Sequence, residues 1–196
     1  QGFVEEDTIN IECRVWIEKT IGVRKLRLVD FTKPCDSVNN VVLVVEGKKL
    51  NVSKDFLSVH SPVFSEMFYD KFDEEEREEI KLNDLKYEEF VDLLNVIFPT
   101  SIDIGANTVA HILKLADRFQ IESVLDRSES YLIGSEKFDN LAKLKFADQH
   151  KLQLLMDHCL SYYTDFEQLK AIKPTAEYKG FSYKTKAAIC GKILKM

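Results

Sequence analysis

The sequence predicts an α+β fold: a small mixed sheet covered by helices and followed by a helical extension. Residues 41–52 hold two short apolar strands around a Glu46-Gly47 turn, and Ile80-Lys81-Leu82 reads as a third. From Tyr87 onward, apolar residues recur mainly at helical spacing. Strands that precede paired helices indicate a sheet with helices packed over it.

Thr8 to Ile17 alternates apolar with polar residues, so Ile9, Ile11, Cys13 and Val15 share one strand face with Trp16 opposite. Glu5-Glu6-Asp7 ahead of it reads as a polar turn. One strand cannot bury its apolar face alone. This segment is therefore either the last strand of a domain cut short or an edge added to another element. The chain begins without Met, which suggests a longer protein whose start is missing. Lys33-Pro34-Cys35-Asp36-Ser37-Val38-Asn39-Asn40 reads as a linker. After the strands Val41–Val45 and Lys49–Val52 comes a helix, then the cluster Pro62, Val63, Phe64, Met67 and Phe68, in which Pro62 fixes a helix start.

Six of the seven residues 73–79 are acidic, the pattern of a solvated loop or helix end. Asn83-Asp84 begins a turn or cap. One helix then carries Phe90, Leu93, Leu94 and Ile97 inward and stops at Pro99. A second, from about Asn107, points Val109, Ile112, Leu113, Ala116 and Phe119 inward. A third, from about Glu122, uses Val124, Leu125, Ser128, Tyr131 and Leu132 and ends at Gly134 as a C-cap. Farther on, Phe138, Leu141, Leu144 and Ala147 form one stripe. Leu152, Leu155, Met156, Cys159, Leu160 and Tyr163 form another. The short spacing between the stripes predicts an antiparallel pair. A last helix is expected over Ser182 to Leu194, after Lys173-Pro174.

With 45% hydrophobic, 31% charged and 11% aromatic residues, the composition is that of an ordinary globular protein. No apolar run approaches the ~20 residues that span a bilayer, and the start QGFVEEDT has neither the basic nor the apolar region of a signal peptide. Cys13, Cys35, Cys159 and Cys190 form no CxxC pair and read as free intracellular thiols. Residues 41–134 carry 10 Lys and Arg against 19 acids, a balance of −9; residues 135–196 carry 11 Lys against 7 acids, a balance of +4. The acidic middle and the arginine-free basic end argue against a nucleic-acid partner.

The sequence contains neither G-x-G-x-x-G nor a phosphate-cradling loop. The histidines His60, His111, His150 and His158 form no H-E-x-x-H. His158 and Cys159 would point about 100° apart on a helix, a poor metal pair. Cys159 falls on the apolar stripe and reads as a core thiol. No enzymatic activity, metal or cofactor is expected.

The run VVLVVEGKKL, then HSPVFSEMF, EIKLNDLKYEEFVDLL and LKLADRFQIESVLDRSESYL, in that order and spacing, closely resembles a BTB/POZ domain. GFVEEDTINIECRVWI resembles the C-terminal strand pair of a MATH domain, and residues 135–196 resemble the helical extension that follows BTB domains in cullin-3 adaptors. The resemblance to MATH–BTB proteins implies a remnant of a MATH β-sandwich at 1–32, a linker at 33–40, a BTB/POZ domain at 41–134 and a helical extension at 135–196. It implies a homodimer, with candidate interface residues Phe56, Leu57 and Val59. It also implies a cullin-3 surface near Phe68, Tyr69, Phe72, Val109 and His111, an unknown substrate bound through the missing MATH portion, and a cytoplasmic or nuclear setting. A dimerisation scaffold that does not bind cullin is the alternative.

Three positions depart from the family's pattern. Asn40 stands where an Asp is usual and Ser53 where a His is usual. The helix start at Thr108-Val109-Ala110-His111 lacks the acid of the hydrophobic-x-acid motif that contributes to cullin binding in many adaptors.

Overall fold

The computed structural model describes residues 4–5, 8–9, 28–34, 39–69, 79–98 and 102–193. Strands β1 (Val4–Glu5) and β2 (Thr8–Ile9) pair antiparallel, Val4 opposite Ile9. Glu5 is thus in a strand and not in the expected turn. The rest of the alternating segment, Cys13 and Trp16 included, lies outside the described residues.

The main sheet has the order β4-β3-β5, with β3 (Asn40–Val45) in the middle. β4 (Lys48–Ser53) returns antiparallel, Leu43 opposite Leu50. The hairpin turn places Glu46 at φ 50° and Gly47 at φ 76°, the left-handed pair whose twist matches a two-residue hairpin. β5 (Glu79–Leu82) runs parallel to β3, Leu43 opposite Ile80, so the sheet is mixed. A parallel neighbour requires a crossover. Helices α1 (Lys54–His60) and α2 (Pro62–Tyr69) lie within that connection.

Val41, Leu43 and Val45 alternate inward on β3 and are fully buried, whereas Val42 and Val44 are only half-buried. Three helices follow: α3 (Tyr87–Ile97), α4 (Val109–Arg118) and α5 (Glu122–Gly134). All five residues expected on the inner face of the second helix, Val109, Ile112, Leu113, Ala116 and Phe119, are buried. The aromatic centre is a stack in which Phe64 lies 4.5 Å from Phe119 and 5.6 Å from Phe68, with Phe90 5.7 Å from Phe119. Gly134 is not the left-handed cap expected of it. It is the last helical residue, and Ser135, in extended conformation at φ −83°, ends the helix.

Packing starts ahead of the expected linker. Phe31 is 4% exposed and sits edge-on to Phe98 at 5.2 Å. Asn51 N–H donates to the Phe31 carbonyl (2.7 Å), and the Val29 N–H donates to Asn95 Oδ1 (3.3 Å).

The extension opens with α6 (Asn140–His150) and α7 (Gln153–Ser161). The Asp139 carboxylate caps α6 by accepting the Ala142 N–H, and Lys151 turns the chain in a left-handed conformation. Asn140 at the start of α6 donates to the Cys159 carbonyl near the end of α7, so the pair is antiparallel. Every residue of the second stripe, from Leu152 to Tyr163, is buried. Helices α8 (Phe166–Ile172) and α9 (Ala176–Gly180) have no counterpart in the sequence reading; α10 (Tyr183–Ile193) corresponds to the last helix expected there.

Candidate interaction surface

Ser53 begins α1 by accepting the Phe56 N–H at 3.3 Å. Ser61 then separates α1 from α2. Its hydroxyl accepts the Phe64 N–H at 3.0 Å and donates to the Phe119 carbonyl, so one residue caps α2 and ties it to the end of α4. At the far end of the pair, the Tyr69 hydroxyl donates to Asp55, which also accepts from Asn39 Nδ2 at 3.0 Å. The start of α1 therefore meets the end of α2, and the two form an antiparallel hairpin. The bond from Tyr69 and then that from Asn39 hold the Asp55 carboxyl below the usual carboxylate range. The same bond raises the Tyr69 phenol.

Of the three candidate dimer residues, the structure removes one. Leu57 has no exposed surface and belongs to the chain's own core, so its side chain is not available to a partner. Val59 is 83% exposed. Phe56 is half-buried, its ring 4.4 Å from Phe98 and 4.8 Å from His60.

The cullin candidates divide in the same way. Val109 is fully buried beneath α4 and cannot be a contact residue. Phe68 is half-buried through its stack on Phe64, Tyr69 is 47% exposed, and Phe72 lies outside the described residues. His111 is mostly covered, with Nε2 2.9 Å from Asp92 Oδ2. The helix start lacks its own acid, but α3 provides one beside it, and Asp92 keeps about half its side chain exposed. Spacing along the sequence carries no sign of this pair, because its two members lie on different helices.

Two further residues escaped the sequence reading. Glu129 is 7% exposed and accepts the Leu155 N–H at 2.8 Å. The N-cap position of α7 is Leu152, which has no accepting side chain, so a carboxylate from α5 serves that helix end instead. Lys143, also buried, donates to the Ile133 carbonyl at 3.3 Å. A buried acid at an otherwise polar helix position gives no periodic signal.

Among the described residues, no group of three or more His, Cys, Asp or Glu is placed to hold a metal ion. No described helix is long and apolar enough to cross a membrane. Burial pushes the Cys159 thiol up to about 11, which keeps it protonated at neutral pH and unreactive.

The family model that matches the chain is the BTB/POZ domain, over residues 31–136, which takes in Phe31 as the packing does. Over its whole length the chain is 38% identical to BTB and MATH domain-containing protein 38 of Caenorhabditis elegans, of which it covers 50%. It is 37% identical over 99% of its length to BTB and MATH domain-containing protein 36 of the same organism, of which it covers 61%. The chain thus spans half to three fifths of the length of these curated relatives. Among solved structures, the BTB domain of human gigaxonin is 20% identical, with a TM-score of 0.39, covering 46% of this chain and 75% of that one. With the mixed three-stranded sheet and the α1–α5 layer in place, the match over more than half the chain establishes that the protein belongs to the BTB/POZ domain family.

Proposed function

We propose that the chain is the recruiting end of a substrate adaptor for a cullin-3 RING ubiquitin ligase, dimerising through its BTB domain. BTB/POZ domains are protein-interaction modules, not enzymes, and this chain is one of them. The observation that carries the finer reading is the α6–α7 hairpin bound to the BTB core through Glu129 and Leu155. It gives domain and extension one fixed geometry, as a bridge between a substrate and a ligase requires. Substrate capture then falls to a MATH domain ahead of residue 33, the second domain that the names of the relatives carry. The cytoplasm or nucleus is the setting this reading requires.

Tyr69, exposed at the end of α2, is the candidate cullin contact, since desolvated aromatic residues are preferred hot spots. Val59 on α1 is the candidate dimer contact. Calorimetry of the chain against a cullin-3 N-terminal fragment tests the first, with Tyr69→Ala expected to weaken binding by roughly 1–2 kcal/mol. No detectable binding by the unaltered chain would overturn it. Sedimentation tests the second: a monomer at micromolar concentration overturns dimerisation.

One observation favours a BTB dimerisation scaffold without cullin. His111 is already paired with Asp92. Restoring an acid there with His111→Glu would set two carboxylates side by side, so the change is not expected to create the missing contact cleanly.

A further inference from the structure

Far along the chain, α6, α7 and α10 enclose a cavity of about 330 Å³. Its floor is apolar: Ala147 from α6, Leu152 from the connection, Met156 from α7 and Ala188 from α10. This volume is at the small end of the ligand-site range and accommodates one or two apolar side chains. The unbranched Met156 side chain adapts its shape to what enters.

Among the described residues lining the opening, one is an acid and two are lysines. Asp148 is the only acid among the described lining residues, and it is turned to a structural task. Its carboxylate accepts from the Ser182 N–H at 3.0 Å, from the Ser182 hydroxyl, and from the Thr185 hydroxyl at 2.6 Å, holding the start of α10. The remaining lining charges are Lys151, from the hairpin wall, and Lys184, from the α10 wall. Both are exposed, and neither makes an ion pair among the described residues. The extension around them has the +4 balance of 11 Lys against 7 acids.

We propose that this cavity binds a short acidic peptide segment of a partner protein, one apolar side chain entering over Met156 and Ala188 while neighbouring carboxylates meet Lys151 and Lys184. An apolar slot with cationic sides matches a ligand of opposite charge and complementary shape, and charge complementarity selects among partners. The inference does not depend on the cullin reading, since no residue of α2 or α4 lines the cavity.

The test titrates the intact chain with a fluorescein-labelled peptide in which glutamates flank a central leucine, read by anisotropy. The same peptide with lysines for glutamates is the control. Saturable binding of the acidic peptide alone is expected, weakened about tenfold by Lys151→Glu with Lys184→Glu. The Met156 methyl resonance should shift on binding. Ala188→Phe, which fills the slot, should abolish binding; if that variant fails to fold, the exposed lysine pair still decides. Equal binding of the lysine peptide, indifference to the double charge reversal, or no saturation overturns the proposal. Binding to phosphatidylserine vesicles without binding to the peptide overturns it too, in favour of an anionic membrane surface.

Discussion

Between Asn40 and Gly134, side chains such as Leu43, Phe64, Phe90 and Leu113 have no exposed surface, and several aromatic rings stack on one another. Beyond Ser161 the buried residues thin out to Tyr163, Ile172, Phe181, Thr185 and Ile189 among the described residues. Large apolar side chains are left exposed there instead: Tyr162 at 60%, Phe166 at 50% and Tyr183 at 91%. The α6–α7 hairpin belongs with the first region although the sequence joins it to the second. Its own stripe is buried, and Glu129, Lys143 and Asp117 connect it to the domain. Helices this short depend on tertiary packing for their stability. The chain should therefore open from its C-terminal end, α8–α10 before the hairpin, and the hairpin only with the domain.

The sharpest way to break this picture is at the aromatic centre. Phe64→Ala removes a ring with no exposed surface from between Phe119 and Phe68 and should cost about 3–5 kcal/mol. In urea, the domain and hairpin should then lose structure in one shifted transition. Phe181→Ala should instead raise hydrogen exchange in α8–α10 and leave α3–α5 protected. Equal effects of the two variants on α3–α5 would erase the distinction between the regions.

Leu155→Ala asks whether the hairpin truly shares the core. Leu155 is completely buried, and the substitution should cost roughly 2–5 kcal/mol in chemical denaturation. A loss under about 0.5 kcal/mol would place α7 outside the cooperative unit.

Much of this architecture was legible in the sequence, for a physical reason. α3–α5 bury one face each, so period 3.6 is written into Val109, Ile112, Leu113 and Ala116, whereas Val41–Val45 reads as a strand from its short, unbroken apolar run before the Glu46-Gly47 turn. α8 and α9 were not legible. α9 buries no residue at all, and a helix without a buried face has no stripe to read. The interaction surface was legible only in part, because periodicity separates inside from outside but not one partner from another. Leu57 and Val109 fell at apolar positions and proved to be core. The His111–Asp92 pair and the Glu129 cap join residues from separate helices, and spacing along one helix cannot reveal them.

Glu129 offers a smaller and more specific test of the connection between the two regions. Glu129→Leu strands the Leu155 N–H without an acceptor at the start of α7 and should cost roughly 1–3 kcal/mol. Glu129→Gln keeps an accepting oxygen and should cost less. If the two variants lose the same stability in chemical denaturation, the negative charge of the carboxylate is what the start of α7 requires, and an accepting oxygen alone does not replace it.

The smallest expected effect concerns His150, at the end of α6. Its side chain is 12% exposed, Nδ1 lies 3.8 Å from Asp117 Oδ2 on α4, and that nitrogen has no hydrogen-bond partner. Burial lowers the imidazole below its ordinary 6.5, and Asp117 acts against it without prevailing. The folded chain therefore favours the neutral ring. Its contribution to stability is complete above pH 6.5 and is lost as the pH falls below that value through the lower folded pKa. Asp117 restrains the effect, because the cation that burial opposes is the form the carboxylate attracts. Urea midpoints measured from about pH 7.5 to about pH 5.5 should thus fall further for the unaltered chain than for His150→Gln, which cannot titrate there. The opposite order would mean that the Asp117 attraction outweighs burial, and that acid strengthens the join between extension and domain.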